Sequence, residues 1–315
     1  MSAESSKLIT YVVPSCSPLV FKPLTPDTIP AVRQILRDVR WRTCDYSVGG
    51  IYMWVDYFNY EYCVFDGTLF IRGLDERDRR RPAFAVPVGK MPLPEAVELL
   101  RLYCLAQGCD LLFSAVPEAA VGALLDCGAT SVEPLDCWSD YLYSAAALAG
   151  LTGKAFNKKR NHVNRFMADN PGYVFEPLAA KNIPDAIAFF DSLVPGDSPD
   201  VAEAEYERQA CRRILGNYEA YGFEGALLRD GKGRPVAFTA GEIIGDTLIV
   251  HIEKMDHAIA GAGETVNKLF ADYICRCHPE VVYINREDDA GDPGLRRAKE
   301  SYKPIALLTK YNVRF

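Results

Sequence analysis

The sequence predicts an α+β fold in two consecutive domains of one build, each a mixed, mostly antiparallel sheet flanked by helices. Three observations carry this. A chain of 315 residues exceeds one small domain and supplies two, each with a core of its own. The stretches "VFKPLTPDTIP" (20–30) and "VFEPLAAKNIP" (174–184) share six of eleven positions at an offset of 154, as a duplicated domain would. Both halves then run strand, helix, antiparallel strands, helix, strand.

Taken in order, the first repeat reads as a short strand, a turn and the amphipathic helix "AVRQILRDV". "YCVFDGTLFIRG" is a strand, an Asp-Gly turn and a strand. "PLPEAVELLRLYCLAQG" opens on prolines and closes on glycine, as a helix does, and leads to the strand "DLLFSAV". "DYLYS" reads as the closing strand of the first domain, so the boundary falls near Gly150, with domains at 1–150 and 151–315. A helix from Thr152 or Gly153 to about Asn170 links them, stopped by Pro171-Gly172. The second half follows with the helix "DAIAFFDSLV", strands broken at Asp230-Gly231 and Gly245-Asp246, the helix "GETVNKLFADYICRC" and the strand "EVVYINR".

Composition narrows the class. With 49% apolar and 24% charged residues the chain is of the soluble globular type, and a net charge of −7 excludes a surface attractive everywhere to nucleic acid or anionic lipid. Ten scattered cysteines without a CxxC pair, and only four histidines, fit reduced thiols in a cytoplasmic protein; no metal site or disulfide framework is expected. "MSAESSKLITYVVPSC" has no basic region followed by an apolar core, and no apolar run reaches spanning length.

Three constellations carry chemistry. The linking helix holds Lys154, Lys158, Lys159, Arg160 and Arg165 with no acid among them. This basic stripe is either a solvated face or a contact for a polyanion such as tRNA. Next, Gly261 and Gly263 stand at a strand-to-helix turn beside Glu253 and Lys254, where backbone N–H groups can receive a phosphate or simply make a tight turn. Last, in "YINREDDAGDPGLRRAKESYKP" an apolar strand ends in Asn285, Arg286, Glu287, Asp288 and Asp289. Strand alternation sends Asn285 and Glu287 one way and Arg286 and Asp288 the other. On this reading Glu253, Glu287 and Asn285 are the catalytic candidates, the two carboxylates sharing one cleft, with Lys254, Arg286, Asp288, Gly261 and Gly263 binding substrate. Equally, the acids cap the turn into the next helix and pair with the arginines.

"GKAFNKKRNHVNRF", "EKMD", "YINREDDAGDPGLRRAKESYKP" and "LLTKYNV" resemble a bacterial family grouped with the C-terminal, cytosolic domain of phosphatidylglycerol lysyltransferase, and the likeness covers nearly the whole chain from about Val20. It implies two tandem GNAT-like acyltransferase domains. It implies, further, transfer of an aminoacyl group from charged tRNA to an amine or hydroxyl on a small-molecule or peptide acceptor, with no cofactor required. The membrane-embedded half of a lipid lysyltransferase has no counterpart in this sequence, and the GNAT pyrophosphate loop is represented only by "HAIAGAG". Two alternatives stand beside aminoacyl transfer: an acyl-CoA-dependent N-acyltransferase, and a non-catalytic ligand-binding relative. A splayed opening between central strands would favour the second reading, and a filled cleft in both halves the third.

Overall fold

The computed structural model describes residues 17–193 and 201–315. The stretch "MSAESSKLITYVVPSC" and Val194 of "DAIAFFDSLV" lie outside the described residues.

The first repeat gives a short strand β1 (Lys22–Pro23) and helix α1 (Ile29–Leu36), which buries Ile29, Val32 and Leu36. After α2 (Val48–Met53), β2 (Glu61–Phe65) and β3 (Thr68–Leu74) form a hairpin. Its turn needs left-handed backbone at both central residues, supplied by Asp66 (φ 45°) and Gly67 (φ 68°). Then follow β4 (Pro82–Phe84), β5 (Val88–Gly89) and α3 (Leu93–Gln107), which ends at left-handed Gly108. The half closes with β6 (Leu112–Pro117), α4 (Glu118–Asp126), β7 (Ser131–Pro134), β8 (Asp140–Ser144) and α5 (Ala145–Gly150).

The linking helix α6 (Asn157–Asp169) is where the sequence places it, after a 3₁₀ turn at Lys154–Phe156. The second repeat supplies β9 (Val174–Pro177) and α7 (Ile183–Ser192). Beyond α8 (Val201–Gly216) and α9 (Tyr218–Tyr221), the meander β10 (Glu224–Arg229), β11 (Pro235–Ile244) and β12 (Thr247–Met255) leads into α10 (Ala262–Cys277). The chain ends with β13 (Tyr283–Asn285), α11 (Pro293–Glu300), β14 (Ala306–Leu308) and β15 (Lys310–Arg314).

The strand orders are β1-β2-β3-β4-β6-β15-β7, with β5 pairing β3, and β14-β8-β13-β12-β11-β10-β9. Read from the edge strand of each repeat they coincide place for place. β1 and β9 both occupy an edge, and the parallel contacts β4–β6 and β12–β13 stand at the same position. One expectation is corrected here. "DYLYS" does not close the first sheet: β8 pairs β13 and β14 in the second sheet, while β15 pairs β6 and β7 in the first. Each half thus gives its last strand to the other, in the same slot. The exchanged strands begin with Asp140 and Lys310, and these two pair at 2.8 Å.

A continuous core joins the halves: Leu36, Phe70, Phe84 and Phe113 of the first and Leu227, Phe238 and Ile252 of the second belong to one buried cluster. The outer face of the second sheet has its own core against α5, α6 and α10, built on Leu148, Val163, Leu248, Phe270 and Ile284. The sheet faces that look toward the opposite half therefore bound the region where a site can form.

Candidate active site

In both sheets the parallel central strands part, and the polypeptide marks the place the same way. In the first half Phe84 opposes Phe113 as the single parallel pair of β4 and β6. Two residues on, Ala115 turns left-handed (φ 53°), and the Val86 N–H donates to the Tyr46 hydroxyl (3.0 Å) instead of to a strand. In the second half the last parallel pair is Ile249 and Asn285, and two residues on Glu287 turns left-handed (φ 57°). A bulge in β12 skips His251 between Val250 and Ile252, which turns His251 toward the first half.

The second opening is filled. Its interior holds fully buried His251, which donates from Nδ1 to Glu287 (2.7 Å) and from Nε2 to Glu242 (3.0 Å). Burial alone would lower the imidazole pKa, but the two carboxylates overcome it and hold it up at about 9. The Glu242 carboxylate also accepts the Gly49 N–H. Gly49 is obligatory, because a Cβ there would stand 2.2 Å from the His251 ring. On the α10 side of the same sheet, Arg286 donates to Glu253 (2.7 Å) with its guanidinium over the Tyr302 ring, and Glu253 also accepts from Asn267 of α10 (3.2 Å).

Strand alternation holds through Glu287, with Asn285 and Glu287 toward the first half and Arg286 toward α10, and fails at Asp288. The Asn285 side-chain oxygen accepts the Glu287 N–H (2.6 Å), and the left-handed Glu287 that follows brings Asp288 round to the Lys310 side. Glu253 and Glu287 do not share a cleft: one pairs beside α10, the other between the halves. Asp289 and Asp292 build the next turn, Asp289 bonding Arg296 and the Gly291 N–H, and Asp292 capping α11 at the Leu295 N–H.

Asn285 also bonds Asp140 (2.8 Å), and there a second buried network begins. Lys310 Nζ lies 2.8 Å from Asp140, 2.9 Å from Asp45 and 4.0 Å from Asp288. Cys44, Asp45 and Asp140 present ligand atoms close enough together for a metal ion, but the Lys310 ammonium, 3.3 Å from Cys44 Sγ, supplies the cation. Burial raises the pKa of Asp288 to about 7 against the pull of Lys310. Burial and the neighbouring Asp45 likewise push the Glu76 carboxyl well above the usual range.

The first opening is hollow. A cavity of about 40 Å³ lies there, walled by Leu36, Ile51, Leu69, Ile71, Val86 and Ala115, with Asp45, Tyr60 and Glu76 at its polar end. Glu76 Oε2 is shut off from solvent and has no hydrogen-bond partner. An apolar pocket with a few convergent polar groups and perturbed carboxyls is the usual form of a ligand site.

The remaining predicted residues lie elsewhere. Lys254 pairs with Glu207 of α8 (2.6 Å). Gly261 packs on α6, where a Cβ would stand 2.3 Å from the His162 carbonyl oxygen, and Gly263 packs on Met255. These glycines serve close helix packing, so the α10 N-terminus is covered and is not an open phosphate loop. Of the basic stripe, Lys159 pairs with Glu264 (3.4 Å) and lies over Tyr302, and Arg160 is tied to Leu151, Gly153 and Asn157. Lys154, Lys158 and Arg165 are exposed. Sequence reasoning missed Asp45, Glu76, Asp140, Glu242, His251 and Lys310. For Lys310 and His251 a signal existed, since "LLTKYNV" and "LIVHIEK" set one ionisable residue inside an apolar run, the mark of a buried, paired group.

A family model described as phosphatidylglycerol lysyltransferase, C-terminal, matches residues 36–314. A conserved protein of unknown function from Bacteroides thetaiotaomicron superposes with a TM-score of 0.84 at 29% identity, over 94% of this chain and 99% of that one. The C-terminal domain of a putative lysylphosphatidylglycerol synthetase from Agrobacterium fabrum gives 0.63 at 15%, covering 91% of each chain. L-PGS from Bacillus licheniformis gives 0.62 at 16%, over 93% and 92%. No curated protein matches. The fold is the tandem GNAT-like one that the sequence resemblance implies. Among the described residues no helix is long and apolar enough to cross a membrane.

Proposed function

This chain belongs to the phosphatidylglycerol lysyltransferase C-terminal family, and from that premise we propose that it transfers an aminoacyl group from charged tRNA to an acceptor whose attacking group reaches the first-half cavity. The observation that carries the reading is the buried, unpartnered Oε2 of Glu76 at an apolar pocket, on an acyltransferase-like fold. Acyl transfer needs a base for the proton of the attacking group, and a carboxyl whose pKa is raised by burial is a better base than an exposed one. Glu76 takes that role, and Tyr60 and Ser114 line the space around the reacting carbonyl.

Two features favour an aminoacyl donor over acyl-CoA. The second-half opening between the parted strands, where a pantetheine arm would enter, is filled by the pairs of His251 with Glu287 and Glu242. The exposed Lys154, Lys158 and Arg165 offer charge to a phosphate backbone. The test is release of a labelled amino acid from charged tRNA by the purified protein, run beside labelled acetyl-CoA. Discharge of tRNA by the wild type and not by Glu76→Gln supports the reading. Turnover of acetyl-CoA alone favours the N-acyltransferase, and turnover of neither favours the binding relative.

A further inference from the structure

We infer that Cys104 and Cys109 form a reversible dithiol site, which closes to a disulfide when a low-molecular-weight disulfide such as oxidised glutathione reaches it. The pair straddles the end of α3. Gly108 takes left-handed backbone there (φ 67°), the Cys109 N–H donates to the Cys104 carbonyl oxygen (3.0 Å), and the Gly108 N–H donates to that of Leu105 (3.3 Å). Such a helix stop sets the side chains of its first and last residues against each other. The usual contact is apolar; here the two groups are thiols, and they are hydrogen-bonded to each other. A disulfide forms without backbone movement only between cysteines whose side chains already converge, with Cβ atoms about 3.8 Å apart. The hydrogen bond between the two residues' own peptide groups fixes that convergence.

The thiols differ in access. Cys104 is buried in the core that joins the halves, whereas Cys109 is half-buried at its margin. Burial, with the Cys109 sulfur beside it, holds the Cys104 thiol pKa up at about 12, so Cys104 is the slower nucleophile. Cys109, as the thiolate, attacks one sulfur of oxidised glutathione, the S–S bond breaks and one glutathione leaves. Cys104 then gives up its proton and attacks the Cys109 sulfur of the mixed disulfide, and the second glutathione leaves. Two protein thiols are oxidised, one disulfide is reduced to two thiols, and both protons pass to glutathione. The link fastens α3 to β6, the strand whose Phe113 makes the last parallel pair before the hollow opening and whose Ala115 lines it.

The test incubates the reduced, folded full chain with excess oxidised glutathione, traps free thiols with N-ethylmaleimide under denaturing conditions, and reads intact mass and the state of each cysteine by peptide mapping. Exposed Cys137 and Cys277 take up glutathione adducts and report that the oxidant has acted. Cys104 and Cys109 should close to the maleimide together, with a mass lower by two hydrogen atoms and no adduct, and dithiothreitol should reopen both. Cys104→Ala should leave a lasting glutathione adduct on Cys109. Cys109→Ser, at the core margin, should fold normally and leave Cys104 free, and oxidation should raise the Tm of the wild type but not of this variant. A lasting adduct on wild-type Cys109, or free Cys104 and Cys109 once Cys137 and Cys277 are fully modified, overturns the inference.

Discussion

In the first half β4 and β6 part after Phe84 and Phe113; in the second, β12 and β13 part after Ile249 and Asn285. Both strands leave through a left-handed residue two positions later, Ala115 in one half and Glu287 in the other. The difference lies in what that residue brings. Glu287 carries a carboxylate into the opening, where His251 and Glu242 close it. Ala115 carries a methyl group, and the space stays open, with Glu76 left unpartnered at its end. A duplicated backbone therefore makes two openings, and side chains decide that one is a structural plug and the other a receptacle.

The largest effect on stability should come from the ion pair that begins both exchanged strands. Asp140→Asn leaves Lys310 buried beside fewer charges, and breaking such a pair costs about 3–5 kcal/mol. Urea denaturation should show that loss. The double variant with Lys310→Met should lose less than the sum of the single changes. A cost below about 1 kcal/mol for Asp140→Asn would show that the halves are not held together here.

The plug has a pH signature. The His251 pKa is raised from 6.5 to about 9, so its stabilisation is whole below pH 6.5, declines as pH rises, and is gone above about 9. The shift corresponds to roughly 3 kcal/mol. Wild-type stability should fall across that window, and His251→Gln should lack that part of the slope. Identical pH profiles would mean that the imidazole is not charged in the folded protein. A smaller loss, about 1–3 kcal/mol for overpacking, is expected for Gly49→Ala, which sets a methyl group against the His251 ring; an unchanged Tm would show that the plug is loose.

The smallest effect on stability, within about 0.5 kcal/mol, belongs to Lys154→Ala, Lys158→Ala and Arg165→Ala combined. The same change should lower the salt dependence of tRNA binding by roughly 0.7–0.9 for each phosphate that the protein no longer neutralises. Lys159→Ala and Arg160→Ala should instead act on Tm, since both side chains are tied into the fold. An unchanged salt slope in the exposed triple variant would leave the stripe a solvated face.

How much of this was legible follows from which forces act locally. The repeat, the linking helix and the Asp-Gly hairpin are set by nearest neighbours, and the sequence shows them. The strand exchange is not local: "DYLYS" has the same pattern whichever sheet it joins, and only the pairing of Asp140 with Lys310, 170 positions apart, records the choice. Alternation past Glu287 misled because Glu287, its N–H held by the Asn285 side chain, turns left-handed and brings Asp288 to the Lys310 side. Asp75 and Glu76 sit in "LDERDRR", a surface-like charge run, and nothing in that run marks these two acids as the ones that reach inward.

The measurement that bears most directly on the hollow opening as the reaction site is tRNA discharge by Glu76→Gln and Glu287→Gln, each normalised to folded protein. Loss of a positioned base costs typically 10²- to 10⁴-fold, so Glu76→Gln should fall by that much while Glu287→Gln stays within a few-fold of wild type and loses stability. The reverse result, a silent Glu76→Gln and a dead but well-folded Glu287→Gln, would place the chemistry in the second half and contradict the account.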